Sequence, residues 1–338
     1  MDAGAGIRAL WRYRPDAMRV PVAAGLWTIV KGLIMRVFVT GATGWIGSVV
    51  VRELLSGGHR VTGLARSDGS AARVTAAGAE VFRGSLEDAD GLRAAAAEAD
   101  GVIHAGYVHD FSPAGDPAAA AALDGRVIAA FGEALAGTGK PLVVASGLPV
   151  PPAGGIATEE VRSENPAHPR VSEPAALAVA SRGVRASVVR LPPSVHGEGD
   201  PWFIPLFISV ARKTGISAYI GAGANVWPAV HRVDAARLFR LALEQAPAGT
   251  LLNAVADEGV PFREIAEVIG RHLQVPAKSI TTAEAPEQFG ALAGFAATDV
   301  PASSAITRQR FGWRPVEPGL IADLDQGHYF TVRDGSIA

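Results

Sequence analysis

Three evenly spaced glycines follow the first strand-like run of the chain. Met35-Arg36-Val37-Phe38-Val39-Thr40 is mostly apolar and leads directly into Gly41-Ala42-Thr43-Gly44-Trp45-Ile46-Gly47. The next segment, Ser48 to Gly58, has the composition of a helix that ends in glycines, and His59 to Ala65 has the pattern of a second strand. A strand, a glycine-rich turn, a helix and another strand together predict one βαβ unit, which constrains the fold more than any other feature.

The glycine spacing has a chemical meaning in this context. The first turn of a helix has backbone N–H groups without intrahelical partners, and they bind a phosphate when no Cβ atom blocks the approach. Gly41 permits the tight turn, Gly44 permits close approach of the phosphates, and Gly47 permits close packing of the helix. We therefore predict a dinucleotide pyrophosphate at this loop, contacted by Thr40, Gly41, Thr43, Gly44, Trp45, Ile46 and Gly47.

The end of the second strand bears on which dinucleotide binds. An NAD site usually has an acidic residue here for the ribose 2′-hydroxyl, whereas this strand ends in Ala65-Arg66-Ser67. Arg66 can pair with a 2′-phosphate and Ser67 can donate to it, so we expect NADP(H) in preference to NAD(H). The alternative is that Arg66 is a solvated surface residue near Asp68.

Composition excludes several classes of protein. The chain has 338 residues, 49% hydrophobic and 19% charged, which is enough for a large core in one domain with a smaller partner region. A net charge of -2 gives no reason to expect nucleic acid or a membrane surface as a partner. The chain has no cysteine, which excludes disulfides, thiolate metal sites and a cysteine nucleophile and fits a cytoplasmic location. No spacing of ligand residues predicts a metal site.

Residues 1–34 precede the first strand and supply no element of the predicted fold. Arginines followed by the apolar run Val20 to Val30 superficially resemble a signal sequence, but Pro21 and Lys31 interrupt the apolar stretch. We expect that translation starts at Met35 or that residues 1–34 are a loosely docked extension.

Further strands alternate with helices, as a doubly wound parallel sheet requires. The predicted strands are Ala79 to Gly84, Gly101 to Gly106, Pro141 to Ser146 and Val184 to Leu191. Ligands of such sheets bind at the carboxyl ends of the strands. This rule adds a set of predicted cofactor contacts: Ser85, Leu86, Ala105, Gly106, Pro192, Ser194 and Val195.

Several short segments carry a resemblance to a known family. Besides the glycine loop they are Gly84 to Asp88, Val102 to Ala105, Pro192 to Gly197, Trp227 to Ala236 and Phe311 to Pro315. Together they resemble the extended or atypical short-chain dehydrogenase/reductases, the NAD-dependent epimerase/dehydratase family, over about residues 35–330. The resemblance implies an NAD(P)-binding Rossmann domain over 35–196, to which 227–256 returns. It also implies a small substrate-binding region made of 197–226 and 257–330.

The chain departs from that family at the catalytic pair. The usual proton donor is a tyrosine followed four residues later by a lysine, which lowers the pKa of the phenol. Neither residue type occurs between Ser146 and Phe207, and none of the four tyrosines has a lysine four positions later. Glu173 falls near the place of the lysine, and Asp124 near that of the family's asparagine.

Ser146 matches the family's upstream serine or threonine, whose hydroxyl orients a substrate carbonyl. The alternative is a strand-end serine that bonds its own backbone. Replacement proton donors are Tyr107, His109 or Asp110 in one loop, or His196 in another.

These observations predict an NADP(H)-dependent oxidoreductase that acts on a small carbonyl or alcohol, as a monomer or homodimer. One alternative is a sugar-nucleotide epimerase or dehydratase, for which the missing tyrosine makes a base harder to supply. Another, from a different class, is a noncatalytic NADP(H)-binding sensor.

Overall fold

The structure is a computed structural model that describes residues 34–109, 115–151, 154–162 and 170–331. The expectation for residues 1–34 and the candidate Asp110 therefore fall outside the described residues, with the exception of Ile34.

Strands and helices alternate along most of the described chain. The strands are β1 (Arg36–Thr40), β2 (Arg60–Ala65), β3 (Glu80–Arg83), β4 (Gly101–His104), β5 (Pro141–Gly147), β6 (Arg185–Leu191), β7 (Ser194–His196), β8 (Ser217–Ile220), β9 (Val226–His231), β10 (Thr250–Asn253), β11 (Asp257–Pro261) and β12 (Ala277–Ile280). The helices are α1 (Gly47–Ser56), α2 (Asp68–Ala76), α3 (Ala89–Glu98), α4 (Pro117–Leu135), α5 (Ser172–Ala180), α6 (Phe203–Thr214), α7 (Arg232–Gln245), α8 (Phe262–Leu273), α9 (Ala285–Phe289), α10 (Ala293–Ala296), α11 (Ala305–Phe311) and α12 (Leu320–Asp325).

Seven parallel strands form the main sheet, in the spatial order β10-β6-β5-β4-β1-β2-β3. The chain order changes direction between β1 and β4, and ligands of doubly wound sheets bind at such a switch point. The predicted α/β Rossmann fold is confirmed.

Alternating side chains of the strands bury both faces of this sheet. Val37 and Val39 pack on the face covered by α1 and α7, with Phe239 among their neighbours. Phe38 points to the opposite face, where α3, α4 and α5 pack and Phe131 meets its ring edge-on. Strands buried on both sides in this way are expected in a parallel sheet.

The remaining elements form a smaller region. β9 pairs with β7 in parallel and with β11 in antiparallel orientation, while β8 pairs with β12. Its core contains Trp227, Phe207 and Phe262, whose rings meet at 5.0 to 5.6 Å. From β9 the chain enters α7 and then β10 of the main sheet, as the resemblance implied. The predicted domain limits stay a prediction.

Candidate active site

The backbone of the glycine loop depends on two of its glycines. Gly41 is left-handed (φ +67°), and a Cβ atom on it would lie 2.5 Å from the carbonyl oxygen of Ala105. A Cβ atom on Gly47 would collide with the carbonyl oxygen of Gly41. Helix α1 begins at Gly47 without a side-chain cap on its first turn. Within that turn the N–H groups of Ser48, Val49 and Val50 donate to the carbonyl oxygens of Gly44 and Ile46. The N–H groups of Trp45 and Ile46, just before the helix, make no backbone hydrogen bond in the described chain and are the ones available to an anion.

Two other segments of the chain contact Trp45 of the glycine loop. Trp45 donates from Nε1 to the carbonyl oxygen of Val195 at 2.7 Å, and the Arg232 guanidinium lies 3.7 Å above the Trp45 ring. Burial and the charge of Arg52 lower the pKa of Arg232 to about 10. Trp45 thus ties the glycine loop to the segment that follows β6.

The side chain of Thr40 faces a buried chain of hydrogen bonds. Its Oγ1 accepts from the N–H of Gly106 and lies 2.6 Å from His104 Nδ1. His104 Nε2 lies 2.9 Å from Asp124, which also accepts from the Ser172 hydroxyl at 2.6 Å. If the Thr40 hydroxyl donates to Nδ1, His104 carries its proton on Nε2 and donates to Asp124. His104 and Asp124 therefore connect the end of β1 to the start of α5.

Predicted contacts of the adenosine end lie at the carboxyl ends of β2 and β3. Arg66 is exposed, and Asp68 pairs with Arg83 instead, Oδ1 to Nη2 at 2.7 Å. Ser67 caps helix α2: its hydroxyl accepts from the N–H of Ser70 and also bonds the Ser70 hydroxyl. Ser85 and Leu86, just after β3, are half-buried.

Predicted contacts of the nicotinamide end surround the carboxyl ends of β4 and β5. Ser146 is buried, and its hydroxyl makes no hydrogen bond to any part of the chain that the structure describes. The structure therefore does not show the alternative, in which the Ser146 hydroxyl bonds its own backbone. The other predicted contacts lie on neighbouring loops; Gly106, Pro192, Ser194 and Val195 are buried and Ala105 is half-buried.

Two of the predicted proton donors lie in one cluster of rings and charge. The Arg170 guanidinium lies over the Tyr107 ring, with Cζ 4.2 Å from its centre, and Arg170 Nη2 lies 3.1 Å from His109 Nε2. The His109 ring also contacts the rings of Tyr107, at 4.9 Å, and Trp202, at 5.0 Å. We call Tyr107, His109, Arg170 and Trp202 the loop cluster, since none belongs to a helix or strand.

The electrostatics of this cluster distinguish its two titratable rings. Burial and the charge of Arg170 lower the pKa of His109 to about 4. His109 is therefore neutral at pH 7, and its Nε2 accepts from Arg170. Burial raises the pKa of Tyr107, and the charge of Arg170 opposes that rise. Tyr107 is thus protonated at pH 7 and has a cation beside its ring.

Helix α5, which carries the tyrosine and lysine in the family, has another role here. Ser172 is committed to Asp124, and Glu173 forms a bidentate ion pair with Arg190 at 2.7 Å. Arg190 is completely buried and also donates to the carbonyl oxygens of Thr158 and Val161. Glu173 therefore anchors the helix and the loop after β5.

The hydrogen bond of His196 is to a residue outside the loop cluster. It is fully buried, with Nδ1 2.9 Å from Asp323, which His328 also contacts at 3.0 Å. Burial works against the ionisation of Asp323, but the hydrogen bonds from the two histidines outweigh it and lower its pKa. His196 thus joins the end of β7 to α12, and His328 bonds the same carboxylate from beyond that helix.

Sequence reasoning missed Arg170 and Arg83 as functional candidates. Arg170 stands just before α5, where a basic residue near the expected tyrosine was the available signal. Arg83 ends β3, in register with Ala65 of β2, and that strand-end position is the signal for a ligand contact.

Among the described residues, no group of three or more histidine, aspartate or glutamate side chains is arranged to hold a metal ion. None of the helices in the described ranges is long and apolar enough to cross a membrane.

A Rossmann sheet with an open glycine loop and polar side chains at the ends of β4 and β5 defines an oxidoreductase-type, dinucleotide-binding protein. Residues 37–254 match the NAD dependent epimerase/dehydratase family, and the chain belongs to that family. The predicted membership among the extended short-chain dehydrogenase/reductases is confirmed.

Curated relatives cover most of the chain. It is 50% identical over 298 residues to an uncharacterized protein of Schizosaccharomyces pombe, spanning 88% of this chain and 100% of the relative. It is 42% identical over 294 residues to an uncharacterized protein of Saccharomyces cerevisiae, spanning 86% and 98%. It is also 29% identical over 230 residues to a 4-hydroxy-2-methyl-3-oxo-4-farnesyl-3,4-dihydroquinoline-1-oxide ketoreductase of Stigmatella aurantiaca, spanning 64% and 66%.

Solved structures with the same fold include two enzymes of nucleotide sugars. A dTDP-glucose 4,6-dehydratase from Streptomyces venezuelae with NAD bound has a TM-score of 0.69 at 20% identity, covering 88% of this chain and 97% of that one. The UDP-glucose 4-epimerase of Thermus thermophilus in complex with NAD has a TM-score of 0.67 at 23% identity, covering 88% and 100%. At such low identity the likeness shows the fold alone.

Proposed function

We propose that this protein is an NADPH-dependent reductase of small aldehydes or ketones, which oxidises the corresponding alcohol in reverse. The observation that carries the proposal is the contact between Tyr107 and Arg170. It supplies a phenol and a cation in the loops around the end of β4, the strand that pairs with β5, and Ser146 lies near the end of β5. The same two chemical groups, with lysine as the cation, stand on the family's catalytic helix.

Each residue of the proposed site has a distinct task. The glycine loop would hold the cofactor, and NADPH bound there would supply a hydride to the carbonyl carbon. The Ser146 hydroxyl donates a hydrogen bond to the carbonyl oxygen and stabilises the alkoxide that develops there. Tyr107 transfers its phenolic proton to that oxygen, and Arg170 stabilises the phenolate that remains. Solvent returns a proton to Tyr107, so the alcohol and NADP⁺ are the products.

The surroundings of the candidates support the choice of Tyr107 as the donor. His109 has a pKa of about 4, so almost none of it is protonated at pH 7, and its Nε2 lone pair is taken up by Arg170. His196 is buried and bonded to Asp323. Tyr107 retains its proton at neutral pH and is only half-buried.

The choice of a reductase also has support from the relatives. The partial match to a ketoreductase supports carbonyl reduction. Epimerases and dehydratases of nucleotide sugars share the fold, but they also need a base that removes a proton from the substrate in each catalytic cycle. The missing tyrosine makes that base harder to supply. The preference for NADPH has its support in the exposed Arg66, which has no ion pair with Asp68 or with any other described carboxylate.

A substrate screen tests the proposal. The purified protein is assayed with a panel of short aldehydes and ketones, with NADPH and NADH, and oxidation of the cofactor is followed by its absorbance. UDP-glucose and dTDP-glucose are incubated in parallel and their products separated by chromatography. We expect carbonyl-dependent oxidation of NADPH and unchanged sugar nucleotides. Conversion of a sugar nucleotide without carbonyl reduction would show an epimerase or dehydratase, and cofactor binding without any turnover would show a sensor.

A further inference from the structure

The ends of β2 and β3 bring two arginines to the start of helix α2. Arg66 directly follows β2, and Arg83 is the last residue of β3, where it is the register partner of Ala65. The Arg83 side chain reaches across to Asp68, the first residue of α2, with Nη2 2.7 Å from Oδ1. Arg83 therefore presents its charge at the place where the ribose of a Rossmann-bound dinucleotide carries its 2′ group.

Ser67, the second residue that the sequence offered for a 2′-phosphate, is already engaged. Its hydroxyl accepts from the N–H of Ser70 at 3.2 Å and donates to the Ser70 hydroxyl at 3.1 Å, and the Ser67 N–H donates to Ser70 Oγ at 3.0 Å. Donation from this hydroxyl to a phosphate costs its hydrogen bond to the Ser70 hydroxyl, while the two bonds of the capping box can remain. Ser67 carries no charge, so a second cationic partner for the phosphate comes from another residue.

We propose that Arg83 is the second arginine of a 2′-phosphate site shared with Arg66, and that Asp68 holds Arg83 in place until the phosphate displaces it. This inference rests on the proposed preference for NADPH and extends it to a residue outside the β2 turn. The ligand is the phosphomonoester on the adenosine ribose.

The exposure of the Asp68 and Arg83 side chains favours such an exchange. The Asp68 side chain is 99% exposed and that of Arg83 54% exposed, so the carboxylate can turn to solvent without being desolvated. An ion pair this exposed contributes little free energy. A phosphate carries more charge than a carboxylate and more acceptor oxygens, which suits the planar fork of an arginine. Arg83 is therefore positioned in advance for the ligand at low energetic cost.

Calorimetry with two small probes measures the contribution of the 2′-phosphate to affinity separately from that of the rest of the cofactor. Adenosine 2′,5′-bisphosphate carries the 2′-phosphate, and ADP lacks it. The variants are Arg83→Gln, Asp68→Asn and Arg66→Gln. Arg36→Gln is the matched control, because Arg36 forms a similar exposed pair with Asp100, with a side-chain exposure of 56%, at the amino end of the interior strand β1.

We expect the wild-type protein to bind the bisphosphate more tightly than ADP. Arg83→Gln and Arg66→Gln should each weaken the bisphosphate about tenfold and leave ADP unchanged, as for a lost charge-assisted hydrogen bond. Asp68→Asn should strengthen the bisphosphate roughly threefold by removing the competing charge. Arg36→Gln should change neither probe.

Two other outcomes have separate meanings. If Arg66→Gln weakens the bisphosphate selectively while Arg83→Gln and Asp68→Asn leave it unchanged, the role of Arg83 is refuted and the NADPH preference stands. If the wild-type protein binds both probes equally, the proposed NADPH preference and the proposed 2′-phosphate site are both refuted.

Discussion

The Arg170 guanidinium lies 4.2 Å from the centre of the Tyr107 ring, although the two residues come from loops that follow β4 and precede α5. This contact places a cation beside a phenol without the tyrosine and lysine helix of the family. A nearby positive charge favours the phenolate form, which is the role that the family gives to lysine. We thus propose that two loops supply the phenol and the cation of the active site, which in the usual pattern of the family stand on one helix.

Arg170→Met should reduce turnover and move the pH profile. Alcohol oxidation needs the phenolate of Tyr107 as the base, so its rate should rise with pH, with an apparent pKa above the usual tyrosine value because burial raises it. Loss of the guanidinium raises that pKa further and shifts the rise to higher pH. The measurement is kcat/KM for alcohol oxidation against pH. Arg170→Lys should restore part of the shift, and Arg263→Met, next to Tyr219, should leave the profile unchanged.

Ser146→Ala should lower kcat for carbonyl reduction by about tenfold to a thousandfold, as for loss of one donor to a developing oxyanion. The dissociation constant of NADPH should stay the same, since the phosphates bind at the glycine loop. Ser187→Ala is the control, because Ser187 is another buried serine, on the neighbouring strand β6. Equal activity of the Ser146 and Ser187 variants would remove Ser146 from the site.

Gly41→Ala should destabilise the protein much more than Gly137→Ala. Both glycines have positive φ (+67° and +70°), so each substitution incurs the left-handed cost of about 1 to 2 kcal/mol. Only at Gly41 does the new Cβ atom meet a neighbour, the carbonyl oxygen of Ala105 at 2.5 Å; no atom lies within 4 Å at Gly137. Denaturant unfolding gives both free energies. Similar losses would show that the loop adjusts readily.

Asp200→Asn should stabilise the protein at alkaline pH. Burial raises the pKa of Asp200 to about 6 from an ordinary value of 3.8, so the folded state favours the protonated form. The stability this provides is present below pH 4 and is lost as the pH rises through 6. The variant should therefore gain about 3 kcal/mol over wild type at pH 8 and little at pH 4. Urea unfolding at both pH values checks this, and an equal difference at both would contradict it.

The sequence predicted those parts of the fold that local patterns encode. The glycine turn, α1 and six of the seven strands of the main sheet follow from spacing and apolar runs within a few residues. The contact between His109 and Arg170 joins residues 61 positions apart in two irregular loops, for which no local pattern exists. Ser67 shows a contact that was not foreseen: its hydroxyl also caps helix α2 by accepting from the N–H of Ser70, while its predicted contact with a 2′-phosphate stays a prediction.

Tyr107→Phe tests the central claim most directly. Carbonyl reduction by the wild-type protein, Tyr107→Phe and the control Tyr219→Phe is measured at saturating NADPH, together with calorimetric binding of NADPH. Loss of the general acid should lower kcat by about a hundredfold to ten thousandfold while NADPH affinity stays unchanged. Tyr219→Phe, which keeps a tyrosine-sized ring beside Arg263, should behave like the wild type. Full activity of Tyr107→Phe would contradict the assignment of Tyr107 as the proton donor.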